Sequence, residues 1–121
     1  LHRAEGLGLS LIDAMRLGVP LVTTDYSGPC DFVNEENAWL VPWTYCSAQW
    51  EDGPYFGSLW ADPDLEVAAR RISEALCSNN GTSAKTAIAK AQVEAYFAPV
   101  RTGRIIAETL GQARPHFTQE A

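Results

Sequence analysis

Glu5-Gly6-Leu7-Gly8-Leu9-Ser10-Leu11-Ile12-Asp13-Ala14-Met15-Arg16-Leu17-Gly18-Val19-Pro20-Leu21-Val22-Thr23-Thr24 runs through a loop, a helix and a strand in twenty residues, and that succession decides the fold class. Leu11, Ile12 and Met15 follow helical spacing, and Ala14, Met15 and Arg16 are good helix formers. Gly18 stands where a left-handed C-terminal cap belongs, and Pro20 prevents continuation. Leu21-Val22-Thr23-Thr24 is β-prone and short enough for a buried strand. Asp25-Tyr26-Ser27-Gly28-Pro29 then breaks the strand with turn residues. Such alternation is what a parallel α/β sheet uses. Ligands of these sheets bind at the carboxyl ends of the strands, where the Glu5 loop would lie.

Two acids frame the glycine-rich turn. Glu5 precedes it and Asp13 lies about a turn into the helix, so both are expected to reach one ligand. Gly6 and Gly8 lack the Cβ atoms that would hold a ligand away from the main chain. The first amides of the helix are donors carrying partial positive charge. Carboxylates suit sugar hydroxyls and amides suit phosphate, and this segment offers both. Each acid also has a plainer reading: Glu5 could cap the helix, and Asp13 could be a solvated helix residue.

Downstream, residues 33–37 read as a polar turn and Ala38-Trp39-Leu40-Val41 as a short strand. Trp43 to Trp60 reads as an aromatic-rich loop containing Tyr45, Trp50, Tyr55 and Phe56. Its rings could stack on sugars or simply fasten the loop to the domain, with Trp60 the favoured anchor. Asp62 is the expected N-cap of a helix whose first residue is Pro63, with Leu65, Ala69, Ile72 and Leu76 as its apolar stripe. Ser78-Asn79-Asn80-Gly81 should end that helix, and Ser83 should cap another with Ile88, Ala91 and Ala95 facing inward. Pro99 opens a last helix to about Gln112 that carries Val100, Ile105, Ile106 and Leu110. Asp31 reads as a cap and His116 as an exposed residue of a polar tail.

The chain has 121 residues, 46% of them hydrophobic, which is enough for one small domain. No apolar run reaches the length of a membrane span and no signal peptide is visible. Cys30, Cys46 and Cys77 are odd in number and irregular in spacing, so they indicate neither a disulfide framework nor a zinc site. The Asn80-Gly81-Thr82 sequon arises readily by chance. A cytoplasmic compartment is the expectation. A formal charge of −6 argues against nucleic acid and acidic membrane surfaces as main partners.

The run from His2 through Met15, followed by Gly18-Val19-Pro20-Leu21-Val22, resembles the signature E-G-F-G-L-x-x-x-E-A-M-x-x-G-x-P-V of group 1 (family 4) glycosyltransferases of the GT-B fold. Tyr26-Ser27-Gly28-Pro29-Cys30-Asp31-Phe32, Leu40-Val41-Pro42 and Trp60-Ala61-Asp62-Pro63-Asp64 are similar to later segments of members that make bacterial surface polysaccharides. The resemblance covers most of residues 2–76. It departs at Leu7, usually Phe, and at Asp13, usually Glu. The shorter Asp13 side chain withdraws its carboxylate by about 1.5 Å, one C–C bond.

That resemblance implies the C-terminal, donor-binding half of a GT-B enzyme: a partial Rossmann-like domain over residues 1–98 and a C-terminal helix and tail over 99–121. The chain opens at Leu1, without the acceptor-binding domain or the upstream basic pair, as a fragment would. It implies a retaining hexosyltransferase that moves a sugar from a UDP- or GDP-sugar to a glycan or lipid-linked acceptor. The nucleotide-sugar is a substrate, and neither a cofactor nor a metal is implied. Location would be cytoplasmic, or at the inner membrane face in the full-length parent. Glu5 would contact the transferred sugar and Asp13 the ribose, with donor contacts from Gly6, Leu7, Gly8, Leu9, Ser27 and Gly28. Arg3 would meet phosphate, and His2 either the phosphate or acceptor, or merely a loop carbonyl. A departing diphosphate needs more positive charge than Arg3 and one helix end supply, so the isolated piece is expected to be a poor catalyst. A noncatalytic nucleotide- or sugar-binding module and a purely structural α/β domain are the alternatives.

Overall fold

The computed structural model describes residues 1–49, 53–77 and 79–113. The opening succession folds as its residues dictate. α1 spans Leu9–Arg16 and buries Ile12 and Met15. It ends in a Schellman arrangement: the Gly18 amide donates to Met15 O at 3.1 Å and the Val19 amide to Ala14 O at 2.9 Å. Gly18 carries the left-handed φ of 70° that this ending requires.

β1 (Val22–Thr24) then pairs in parallel with β2 (Trp39–Val41), Val22 opposite Trp39 and Thr24 opposite Val41. Parallel strands need a crossover. Here residues 25–38 make it with a short 3-10 helix, Gly28–Asp31, and a turn over residues 34–37. Exposed Asp31 closes that short helix. The turn is fastened from within by Asn37, only 1% exposed. Its Oδ1 accepts from the Asn34 amide at 2.8 Å, and its Nδ2 donates to Phe32 O at 2.9 Å and Gln92 Oε1 at 2.7 Å.

Residues expected to be a loop instead form an antiparallel hairpin, β3 (Trp43–Ser47) with β4 (Leu59–Pro63). Trp43 and Tyr45 are good strand residues, and they pack edge-to-face with Tyr26, which roots the hairpin on the turn after β1. Trp50 lies outside the described residues.

Three helices follow: α2 (Leu65–Cys77), α3 (Asn79–Tyr96) and α4 (Pro99–Ala113). α2 packs on the β1–β2 sheet and α3 on α1. Ile12, Met15, Leu21, Phe32, Val33, Ala38, Ala89 and Val93 form the core.

Four expectations are corrected. Asp64, not Asp62, caps α2: its carboxylate accepts from the Glu66 and Val67 amides at 3.0 and 2.9 Å. Asp62 and Pro63 are held extended in β4, opposite Thr44 and Trp43. The face of α2 that packs carries Ala68 and Ala75, while Leu65 and Leu76 are 71% and 75% exposed. Alanines let the helix backbone approach the sheet, and Arg71 between them donates to Leu40 O at 3.2 Å. Likewise α3 turns Ala89 and Val93 inward, not Ile88, Ala91 and Ala95. α3 also starts at Asn79, ahead of the expected Ser83. The last helix matches its expected span, with Val100, Ile105, Ile106 and Leu110 exposed. His116 lies outside the described residues.

No helix among the described residues is long and apolar enough to cross a membrane.

Candidate functional site

The carboxyl end of β1 borders a cavity of about 510 Å³, within the roughly 300–1,000 Å³ of small-molecule sites. One part of its lining is the opening segment, from His2 to Gly6, with Ser27 from the turn after β1. The other is the hairpin, through Tyr55 and Trp60. Five residues expected at a site therefore do meet here: His2, Arg3, Glu5, Gly6 and Ser27.

Short-range bonds fix the Glu5 loop. Glu5 Oε1 accepts from the Gly8 amide at 3.0 Å and the Leu7 amide at 3.3 Å, so the acid satisfies the donors that lead into α1. Among the described residues, Oε2 accepts from none. Gly8 adopts φ 78°, the left-handed region where glycine is favoured, and is itself buried. Its glycine is what permits the bend into α1. Gly6 fits the expected bare backbone better: a Cβ there would meet nothing within 4 Å.

Gly28 holds the loop from behind. Its amide donates to Glu5 O at 3.1 Å. A Cβ at this position would fall 1.7 Å from Gly6 O and 3.1 Å from Glu5 O. Only a glycine permits so close an approach between the turn after β1 and the Glu5 loop. Ser27 beside it takes φ 68°, ψ −154°, a conformation that costs a side-chain-bearing residue about 1–3 kcal/mol. The Ser27 strain thus falls on the lining of the cavity.

His2 is clamped to the end of β1. Thr24 Oγ1 donates to His2 O at 2.8 Å and accepts from the His2 amide at 3.1 Å. On the ring, Nε2 lies 2.9 Å from Tyr26 O, which can only accept, so this nitrogen is assigned the hydrogen; Nδ1 lies 3.4 Å from Thr23 Oγ1. Of the two roles open to His2, the structure displays the bond to a loop carbonyl. Arg3 ties the opening segment to the hairpin. Its carbonyl accepts from the Ala61 amide at 2.8 Å, its Nη2 lies 2.8 Å from Asp62 Oδ1, and its guanidinium stands 5.7 Å from the Trp60 ring centre.

Leu7, Gly8, Leu9, Asp13 and Gly28 are not among the lining residues. Leu7 and Leu9 are exposed, and Asp13 sits exposed on α1. Gly28 acts on the site through the backbone of Glu5 and Gly6. Of the aromatic residues expected in a loop over 43–60, the pairing of β3 with β4 brings Tyr55 and Trp60 to this cavity. Trp60, the expected anchor, is half-buried and part of the lining. Among the described residues no cluster of His, Cys, Asp and Glu is arranged to hold a metal ion.

Residues 1–50 match the family model described as glycosyl transferases group 1. That match spans the Glu5 loop, α1, β1 and β2, and it supports glycosyl transfer in general terms. No curated protein matches the chain.

Proposed function

We propose that this cavity is the sugar-handling part of a retaining glycosyltransferase site that uses a UDP- or GDP-sugar and a glycan or lipid-linked acceptor, as in polysaccharide biosynthesis. One observation carries the reading: Glu5, at the carboxyl end of a parallel strand, lines the cavity with its carboxylate fixed through one oxygen and the second oxygen without a described partner. A carboxylate pinned in this way is preorganised, so it accepts from sugar hydroxyls without first giving up bonds or rotamer freedom. Its charge also favours an oxocarbenium-like stage at the anomeric carbon, since fixed charges act most strongly where charge develops. In a retaining transfer the acceptor hydroxyl attacks from the face on which the diphosphate departs, and Glu5 would orient the ring throughout. Asp13 would take ribose hydroxyls further along α1, outside the cavity.

The discriminating variant is Glu5→Gln. The glutamine Oε1 still accepts from the Leu7 and Gly8 amides, so the loop keeps its shape while the charge disappears. Sugar transfer from UDP- and GDP-sugars should fall about 10²–10³-fold, with donor affinity changed little. Equal transfer by the parent and Glu5→Gln would overturn the role of Glu5. Donor binding without transfer by the parent would favour the noncatalytic module instead, a reading to which the Arg3–Asp62 pair lends weight because it occupies the cation of the cavity.

A further inference from the structure

The hairpin's aromatic residues divide into two groups. Tyr26, Trp43 and Tyr45 pack on one another edge-to-face, with centroids 4.5 to 6.3 Å apart, and Trp43 Nε1 donates to Asp25 O. These rings fasten the hairpin to the body. Tyr55 belongs to neither that cluster nor any other ring pair among the described residues. It is 58% exposed, yet it lines the cavity. Its backbone is set by consecutive turns, Phe56 N to Gly53 O at 3.1 Å and Ser58 N to Tyr55 O at 2.9 Å, completed by Gly57 at φ 77°. A large ring held at a cavity wall without a packing partner has a face left for a ligand.

We propose that Tyr55 is the stacking face for a neutral pyranose ring in this cavity, with Trp60 as the fixed rim beside it. The proposal rests on the glycosyl-transfer reading above for the identity of the ligand class. A pyranose has an apolar C–H face and a girdle of hydroxyls. The cavity matches both: aromatic residues from the hairpin, and polar residues in Glu5 of the opening segment and Ser27 of the turn after β1. Charge points the same way. Arg3 is paired at 2.8 Å with Asp62, and Glu5 adds a further negative group, so the lining favours an uncharged ligand over a bare anion. Trp60 is held by the Arg3 guanidinium 5.7 Å from its ring, and its buried Nε1 has no acceptor among the described residues. Trp60 is half-buried where Tyr55 is exposed.

The chain, Tyr55→Phe and Tyr55→Ala would each be titrated with the methyl glycosides of glucose, galactose and mannose, with sorbitol as an acyclic polyol, and with UDP and GDP, read by ligand-observed NMR. At least one pyranoside should bind the parent and Tyr55→Phe alike, and bind Tyr55→Ala about three- to tenfold more weakly, the fold-change corresponding to an aromatic stacking contact. Sorbitol should not bind, and the affinity of the nucleotide that binds should stay within about twofold across the three proteins. Tyr55 is exposed, so Tyr55→Ala tests the contact without endangering the fold. Equal pyranoside binding by Tyr55→Ala, no pyranoside binding by the parent, or an equal loss of nucleotide affinity would each overturn the stacking assignment. Tyr55-dependent pyranoside binding with no affinity for either nucleotide would retain the wall and discard the glycosyl-transfer reading. Competition by UDP-glucose or GDP-mannose would identify the ring as the donor's sugar, and simultaneous binding would identify it as the acceptor's.

Discussion

Replacing Gly28 by alanine should damage the site from outside it. Gly28 has an ordinary φ, so the obstacle is space alone: the new Cβ would start 1.7 Å from Gly6 O. Real Cβ contacts do not fall below 3.0 Å, so the Glu5–Gly6 backbone would have to retreat by about 1.3 Å. That retreat stretches the 3.1 Å bond from the Gly28 amide to Glu5 O beyond usefulness. Overpacking costs about 1–3 kcal/mol and the lost bond about 0.5–1.5 kcal/mol. The sum, roughly 2–4 kcal/mol, is a large share of the 5–15 kcal/mol that holds a typical domain. With a urea dependence of about 2 kcal/mol per molar for a small protein, the unfolding midpoint should fall by roughly 1–2 M. Fluorescence-monitored urea titration reads this directly. Gly6→Ala is the control: its Cβ enters open space, so stability should stay within about 0.5 kcal/mol. In a transfer assay Gly28→Ala should cost about a hundredfold, the usual penalty for displacing a catalytic group by an ångström. A Gly28→Ala protein as stable as Gly6→Ala would refute the reasoning that this glycine is a spacer between two pieces of backbone.

Asn37→Leu removes a buried side chain that makes three bonds, leaving the Phe32 carbonyl and the Asn34 amide without their partner. It should destabilise by about 2–4 kcal/mol in the same titration, at about 1–3 kcal/mol per stranded buried group after relaxation. Asp64→Ala should lower stability by about 1 kcal/mol through loss of the α2 cap, and Asp62→Ala by less, since its exposed ion pair with Arg3 contributes at most about 1 kcal/mol; thermal melts of the two variants would reverse this order if Asp62 were the cap. The Cys30 thiol is pushed up from its ordinary pKa, first by burial and then by the neighbouring Asp25 carboxylate, so less thiolate is present at any given pH. Alkylation of Cys30, followed by mass spectrometry between pH 7 and 9, should therefore be slower than for a free thiol and should accelerate in Asp25→Asn.

The parts of the fold that local chemistry controls were legible in the sequence. α1 could be placed because Gly18 and Pro20 mark its end, and β1 and β2 because their short β-prone runs have turn residues on either side. Faces of the later helices were not legible, because alanine fits either side of a helix. In α3, Ile88 drew the inward assignment, yet Ala89 and Val93 are the residues that fit against α1. Asn37 reads in sequence as an ordinary turn residue; only the folded chain reveals Gln92 as its distant partner. The same limit applied at the site. The Glu5 loop announces itself by an acid and two glycines within four residues. Tyr55 reaches the cavity through the pairing of β3 with β4, a tertiary event that residues 43–60 did not encode by alternation.

Charge decides which part of a sugar nucleotide this cavity suits on the proposed reading. Arg3 lines it, but Asp62 stands 2.8 Å from the guanidinium and Glu5 lines the same space, so one cation faces two carboxylates. Both members of the ion pair are about half exposed, which screens their effects and keeps them modest. A diphosphate entering here would still have to displace Asp62 from Arg3 while approaching Glu5. The neutral sugar meets neither obstacle. The Leu9 and Ser10 amides that open α1 carry the partial positive charge of a helix start and lie outside the cavity lining. Glu5 stands between the two regions, because it bonds to the Leu7 and Gly8 amides leading into the helix and also borders the cavity. A donor laid across it would place its sugar against the hairpin and its phosphates toward α1, with the bond to be broken next to the carboxylate that the Leu7 and Gly8 amides hold in place.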